Sequence, residues 1–393
     1  MPKRKKVMYF ITKNTRGRGG HYYSLKTTVK ALNEKIEPYI VTISKINSPE
    51  TDELHVVDTT IYCNGWNFIY VVFALMRIVQ KEKPAVFHAF DSSVLLFARI
   101  ISYVYKIPLL YTKCGGENPA GFYPYAKEII LYSYENLEFF KSESKLKSSN
   151  FYLIPNRVGK IKKDEKRITL IREKIDLTKK TFLRIARFGS AYKKSIMQAI
   201  DLILFLNSKG IEVQLVLIGI IQEMKAYNEI IDYIGKHKKL RIYIFSEDEF
   251  TINASEMIDL TDCVIGTGRS LMEAASRNKI LFTPVEESKL PVLITEKNFI
   301  EFFNTNFSPR NQLSKDLLNK NEKNILRLFE SHEYFLKQQH FSKLVFEKYF
   351  NIDIKKEEYY HIYSRIKYDK TINILNFIEH FIRTIVSFFK KIK

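Results

Sequence analysis

The chain has 393 residues, more than one hydrophobic core usually serves and a natural length for two domains. Its 46% hydrophobic and 14% aromatic content excludes a disordered chain, and three widely spaced cysteines (Cys63, Cys114, Cys263) exclude a disulfide framework and fit a reducing compartment. With 63 Lys+Arg against 43 Asp+Glu the formal charge is +20, which calls for a polyanionic partner: nucleic acid, an anionic membrane face or a phosphorylated substrate.

The start, MPKRKKVMYFIT, is basic and then apolar, but the apolar run is too short for a signal segment and reads as a leader into a first strand over 7–12. The loop Arg16-Gly17-Arg18-Gly19-Gly20-His21 follows, then a helical stretch over 22–35. Strand, glycine loop and helix is an arrangement that turns backbone N–H groups toward a phosphate; the bland reading is a turn needing positive φ. Strands are predicted at 39–43 and 55–62, a helix at 66–82, and a strand at 85–91 carrying His88 and Asp91. A helix over 92–105, a strand over 108–112 ending in Lys113-Cys114-Gly115-Gly116, and strands at 128–133 and 151–154 complete the first half. Alternation at this spacing predicts βαβ units and a parallel, doubly wound sheet.

After Pro155-Asn156-Arg157 comes a basic, poorly patterned stretch, taken as the domain joint. The second half repeats the scheme: strand 182–186, helix 194–208, strand 213–218 ending in Gly219, helix 222–236, and strands 240–245, 263–265 and 279–283. Two units in it carry chemistry. The strand at 182–186 ends in Arg187 and Gly189, with Lys193 and Lys194 at the mouth of the next helix. The strand at 263–265 ends in Gly266-Thr267-Gly268-Arg269-Ser270, with Glu273 one turn into the following helix. Free N–H groups and a helix's positive end suit an anion, and Arg187 with Lys193 or Lys194 suits a diphosphate. Glu273 could accept hydrogen bonds from sugar hydroxyls. Against this stand solvated surface charge for Arg187, Lys193, Lys194 and Arg269, and a dipole-stabilising carboxylate for Glu273.

From about 324 onward the pattern is helical, and over 371–393 apolar pairs recur at helical spacing beside Arg383, Lys390, Lys391 and Lys393. Two readings stand for this tail: an interfacial helix on an anionic bilayer, or a helix packed on the protein body. No run of about eighteen uncharged apolar residues predicts a spanning helix. The expected location is the cytoplasm, with a peripheral position on the inner face of the cell membrane as its variant. No CxxC or HExxH pattern marks a metal site.

The GRGGH loop, the IPN turn at 154–156, the strand end at Arg187 with its following lysines, the LVLIG strand and the GRSLMEAAS segment occur in an order that resembles one family. This is the retaining, GT-B-fold glycosyltransferases related to glycogen synthase and bacterial mannosyltransferases, the glycosyl transferases group 1 family. The resemblance implies two Rossmann-like doubly wound α/β domains facing a cleft, here 1–160 on the acceptor side and 161–345 binding the nucleotide sugar, with C-terminal helices over 346–393 that include a crossover. It implies that Arg187 and one of Lys193 or Lys194 (Lys194 slightly favoured) meet the donor diphosphate and act in catalysis. Glu273 would hold the ribose, Gly19 and Gly20 would line the donor side of the first domain, and Gly266, Gly268 and Arg269 would surround the donor.

No divalent metal, no further cofactor and no side-chain nucleophile is implied. Two positions depart from the family: Ile265 stands where a first Glu precedes Glu273 by eight residues, and Lys113 to Gly116 stand where a histidine is common. His88 is a substitute acceptor-side candidate, against a strand-end residue held by backbone bonds; Glu117 is a second, against a capping role. The expected activity is transfer of a hexose from a nucleotide-diphosphate sugar to a glycan or lipid-linked acceptor, in synthesis of a bacterial surface polysaccharide such as capsule or lipopolysaccharide. The alternatives are a basic nucleic-acid-binding protein, which lacks any recognised binding motif, and a catalytically inactive GT-B scaffold.

Overall fold

The computed structural model describes residues 4–13, 20–45, 59–311, 313–371 and 373–389. The chain divides into two compact units, Met1–Arg157 with Ile352–Lys393, and Val158–Asn351. The C-terminal helices, expected as a separate segment from 346, therefore belong from Ile352 onward to the first unit.

In chain order the first unit contains β1 (Lys5–Lys13), α1 (Gly20–Leu32), β2 (Ile36–Ser44), β3 (Thr59–Tyr62), α2 (Phe68–Glu82), β4 (Val86–Ala89) and α3 (Ser92–Tyr105). β5 (Leu109–Lys113), β6 (Glu128–Leu131), α4 (Tyr134–Ser142) and β7 (Asn150–Leu153) follow. The seven strands form one sheet in the order β3-β2-β1-β4-β5-β6-β7 with every pairing parallel. Alternation along β1 shows why the strand is apolar throughout. Val7, Tyr9 and Ile11 enter one core, with Leu25 and Val29 of α1; Met8 and Phe10 enter the other, with α2 and α3. A parallel strand covered on both faces must read as a continuous apolar run. Asp91 fixes the β4–α3 corner: its Oδ1 accepts from the Val94 N–H at 3.0 Å, and its Oδ2 accepts from the Thr12 N–H at 2.7 Å.

The second unit contains α5 (Glu165–Arg172), β8 (Lys180–Ile185), α6 (Ser190–Ser208), β9 (Val213–Ile218), α7 (Met224–Gly235), β10 (Arg241–Phe245), α8 (Asp248–Thr251), β11 (Cys263–Ile265) and α9 (Arg269–Ala275). It ends with β12 (Ile280–Thr283), β13 (Val292–Leu293), α10 (Phe299–Asn304), α11 (Lys315–Glu330) and α12 (His332–Val345). The sheet order is β10-β9-β8-β11-β12-β13, parallel except for the antiparallel edge strand β13. The stretch read as an unpatterned joint contains α5, which buries Ile168 and Ile171 in the core and packs Leu170 against it. Its Arg167 supplies the rest, bonding Asp164 at 2.7 Å, Glu256 at 2.9 Å and the Glu249 carbonyl at 3.0 Å. The two ends of this unit are stitched together, Val158 N–H donating to the Phe350 carbonyl at 3.3 Å.

The chain then returns to the first unit through α13 (Lys356–Arg365) and α14 (Ile374–Phe389). Tyr359, Ile362 and Tyr363 of α13 complete the core shared by α1 and β1. Among the described residues no helix is long and apolar enough to cross a membrane.

Candidate functional site

β8 is flanked by β9 and β11, so the loops leaving β8 and β11 lie side by side at the carboxyl edge of the second sheet. Such an edge, where consecutive strands diverge, is the usual ligand site of an open α/β sheet. Close packing builds it. The Ala186 N–H donates to the Ile218 carbonyl at 3.0 Å, and a Cβ on Gly219 would lie 1.8 Å from the Ala186 oxygen, so only glycine can end β9 there.

Arg187 leaves this edge half-buried, its guanidinium 5.1 Å from the centre of the Tyr192 ring and donating to the Tyr192 hydroxyl at 2.7 Å. The two lysines, which sequence could not separate, part company. Lys193 turns along the helix face and pairs with the Glu229 carboxylate on α7. Lys194 is exposed and donates to the Glu286 carbonyl, beyond β12, at 2.7 Å. Arg187 and Lys194 are thus held by neutral oxygens, while the charge of Lys193 is answered by a carboxylate.

The amino end of α6 is less open than expected. The Ser190 N–H donates to Glu223 Oε2 at 3.3 Å, and the Ser190 hydroxyl bonds the same carboxylate. The N–H groups of Tyr192 and Lys193 both donate to the Gly189 carbonyl. The helix end expected to greet an anion carries one of the protein's own.

The second loop is equally committed. The Gly266 N–H donates to the Phe282 carbonyl at 2.8 Å and the Thr267 N–H to Ser270 Oγ at 3.1 Å, so neither is available as the phosphate donor anticipated from the glycine pattern. What the glycines supply is room. A Cβ on Gly266 would come within 2.5 Å of Ser270 Oγ, and Gly268 sits at φ +52°. Arg269 and Glu273 meet at 2.7 Å, one turn apart on α9, and both side chains are about nine-tenths buried. The pair orients the Glu273 carboxylate and engages its Oε1. Ile265 is fully buried and packs into the core beside Phe182 and Phe282, so a side chain at this position serves the interior.

Sequence reading passed over Arg184. It is the next-to-last residue of β8, at 2% exposure, donating to Ser195 Oγ at 2.8 Å and to the Ile265 carbonyl at 3.4 Å, while its Nε has no hydrogen-bond partner. Burial lowers its pKa to about 10. A buried guanidinium bonded only to neutral oxygens is costly, and an anion arriving above β8 and β11 would offset that cost. The signal was present as a charged residue inside an apolar strand, but a strand end drew attention to Arg187 instead.

In the first unit, Gly20 opens α1; Gly19 and the rest of the 14–19 loop lie outside the described residues. His88, the acceptor-side candidate, is fully buried in β4. Its Nδ1 meets the Tyr363 hydroxyl at 2.8 Å and its Nε2 the Thr112 hydroxyl at 2.7 Å, and burial holds its pKa well below the ordinary histidine value. With both nitrogens engaged in the core it offers nothing to an acceptor, and that expectation is corrected. Its partners are side chains, not the backbone groups of the bland reading. Glu117 is exposed, in a loop shaped by Gly115 and Gly116, both at positive φ. Lys113 pins that loop by donating to the Gly115 carbonyl at 2.6 Å and to Asn136 Oδ1 at 3.2 Å. Cys114 donates to the Phe90 carbonyl at 3.0 Å and burial raises its thiol pKa, so it is unreactive. Among the described residues no three His, Cys, Asp or Glu side chains are placed to hold a metal ion.

No protein-family model matches the chain. No curated protein matches it in sequence. Solved structures do match in fold. A glycosyltransferase from Rickettsia africae is 12% identical with a TM-score of 0.65, over 92% of this chain and 98% of that one. The Anabaena protein HepE in complex with UDP and glucose is 13% identical with a TM-score of 0.64, over 91% and 99%. Sucrose-phosphate synthase from Thermosynechococcus elongatus is 11% identical with a TM-score of 0.61, over 92% and 99%. The fold is therefore GT-B, with C-terminal helices.

Proposed function

We propose that this chain is a glycosyltransferase that moves a sugar from a nucleoside diphosphate to a glycan or lipid-linked acceptor, with retention at the anomeric carbon. The observation that carries the reading is the pairing of Arg187 and Lys194 at the β8–α6 edge, two cations held only by a phenol and a carbonyl. As the glycosidic bond loosens, the leaving diphosphate gains negative charge. Cations already in place stabilise that transition state more than the ground state. Lys194 is preferred to Lys193 because Glu229 already answers the latter. Glu273, oriented by Arg269, takes the ribose hydroxyls through the carboxylate edge that Arg269 leaves unused. Gly266 and Gly268 let the donor approach the backbone, Gly19 and Gly20 complete the donor side, and Glu117 faces the acceptor.

Uridine diphosphate sugars are the first donors to test, since structures of HepE hold UDP and glucose and the pneumococcal O-GlcNAc transferase GtfA holds UDP and GlcNAc. Protein cations carry the leaving-group charge in this scheme, so no divalent metal enters it. Retention follows from the resemblance to group 1 glycosyltransferases. The role in bacterial surface polysaccharide synthesis is what that resemblance implies, and the charge of +20 and the amphipathic tail support a place at the inner face of the membrane. Arg187→Ala should lower kcat/KM for sugar transfer or donor hydrolysis by about 100- to 1,000-fold, on the order of 3–4 kcal/mol, without lowering Tm. An active Arg187→Ala enzyme would reject the assignment of this edge. Ile265, a core residue where the resembled family has a carboxylate, favours one competing reading, an inactive GT-B scaffold. Absence of turnover, with UDP still raising Tm, would select it.

A further inference from the structure

α14 packs the wrong way round for a helix stabilised by its apolar stripe. The side chains it turns inward are Asn376, His380, Thr384 and Phe388, spaced four apart on one face. Three of these four are polar, and Asn376 and His380 find polar partners. Asn376 donates to the Tyr123 carbonyl at 2.9 Å and accepts from the Tyr125 N–H at 2.9 Å. His380 donates from Nε2 to the Ser92 carbonyl at 2.7 Å and accepts at Nδ1 from Arg99 at 3.2 Å. Facing away are Ile374 at 64% exposure, Leu375 at 81%, Ile378, Ile382, Val386 and Phe389.

This outward face does not end with α14. Phe389 stacks edge-on against Trp66 at 4.9 Å, and Phe381 against Phe68 at 5.2 Å. Beyond those contacts Trp66, in the turn before α2, is exposed at 85%, and the first turns of α2 expose Ile69 at 70%, Tyr70 and Phe73. Phe377 of α14 also lines a pocket of about 290 Å³, with Tyr103, Val104, Leu109 and Tyr125 beside Arg99, Lys127 and Asp369. Two helices of one unit thus share a continuous apolar face with an aromatic cluster at their junction, much more than scattered surface hydrophobics would give.

We propose that this face, α14 together with the amino-terminal half of α2, is the surface by which the protein docks on an anionic phospholipid bilayer. The inference rests on the reading of the acceptor as lipid-linked and names the partner surface. Charge selects the occupant. Over 366–393 the chain carries Lys367, Lys370, Arg383, Lys390, Lys391 and Lys393 against only Asp369 and Glu379, and Arg77 is exposed one turn beyond Phe73. A second copy would bring these cations against their own kind, whereas anionic headgroups complement them. Sixteen residues give a helix roughly 24 Å long, short of the hydrocarbon thickness, so it lies in the interface plane. Trp66, Tyr70 and Tyr103 are the residue types that prefer the headgroup boundary.

Trp66 is the one tryptophan of the chain and so reports on its own docking. Vesicles of phosphatidylglycerol and phosphatidylcholine in equal parts should shift its emission to the blue, with quenching by acyl-brominated lipid and loss of binding at high salt. Ile69→Ser with Phe73→Ser, and separately Ile378→Ser with Ile382→Ser, should each weaken binding at least about tenfold. These exposed positions leave the fold and the UDP-induced rise in Tm unchanged. No shift with anionic vesicles overturns the proposal, as does equal binding to pure phosphatidylcholine or an α2 pair without effect. A blue shift that grows with protein concentration in the absence of lipid overturns it in favour of a second copy. Vesicle binding without any response to nucleotides would leave docking in place and remove the donor reading; the reverse result would do the opposite.

Discussion

Arg184 shows how a single side chain can be informative because it is badly placed. A strand covered on both faces has no use for a guanidinium, and burial has lowered its pKa to about 10 with no carboxylate to compensate. If its charge is kept for an anion, Arg184→Met should leave the ligand-free protein as stable as before or slightly more so, while weakening UDP binding about tenfold. Calorimetric titration with UDP and thermal melts of the same protein separate the two effects. An unchanged affinity would make Arg184 a structural residue. The residue scale is also where sequence was least legible. Arg187, Lys194 and Glu273 could be nominated because they follow strand ends, but the carboxylates that engage Lys193 and Ser190 come from Glu229 and Glu223, more than thirty positions away. No local pattern encodes such partners. The free N–H groups expected of Gly266 and Thr267 failed for the same reason: their acceptors, the Phe282 carbonyl and Ser270 Oγ, are fixed by tertiary closure and by a turn that the motif does not specify.

At the scale of elements the sequence was far more readable. Strands such as 7–12 and 213–218 are apolar at every position but Thr12 and Gln214 because both faces are covered, and helices such as 92–105 are bounded by a capping Asp91. α5 and β13 escaped, the first because three apolar residues in eight make no clear period and the second because it has two residues. For α14 the apolar period was legible but the packed face was not, since Asn376 and His380 bury themselves only where Arg99 and the Ser92 carbonyl wait. That arrangement has a consequence in acid. Burial first, and Arg99 second, lower the His380 pKa to about 4 from 6.5 in the unfolded chain. Between those values the unfolded state binds the extra proton, so stability falls as pH drops from 6.5 toward 4, by about 1.4 kcal/mol per unit and up to about 3 kcal/mol in all. Above 6.5 this contribution is flat. Facing the ring are Arg99 of α3 and Phe122, with no carboxylate hydrogen-bonded to either nitrogen to rescue the imidazolium. The difference in unfolding free energy between wild type and His380→Gln, measured across that window, should carry the slope; parallel curves would dismiss it.

For the molecule as a whole, the alternation of strands and helices announced two doubly wound sheets, whereas the crossover among the C-terminal helices was expected from the family resemblance alone. The return depends on long-range complementarity: Tyr363 places its hydroxyl 3.0 Å from that of Tyr9 and 2.8 Å from His88 Nδ1, two partners laid down more than two hundred and seventy residues earlier. The segment Ile352–Lys393 is therefore part of the first unit's folding problem, which cannot close until the second unit has been traversed. Tyr363→Ala removes a fully buried ring and leaves two polar groups short of a partner, a loss of about 3–5 kcal/mol. If the two units hold their stability separately, hydrogen exchange in that variant should accelerate in β1, β4 and β5 and remain as in wild type in β8 and β9. Equal acceleration in both sheets would mean that they unfold as one cooperative body, and a lesion at the end of the chain would then reach the Arg187 edge through global stability alone.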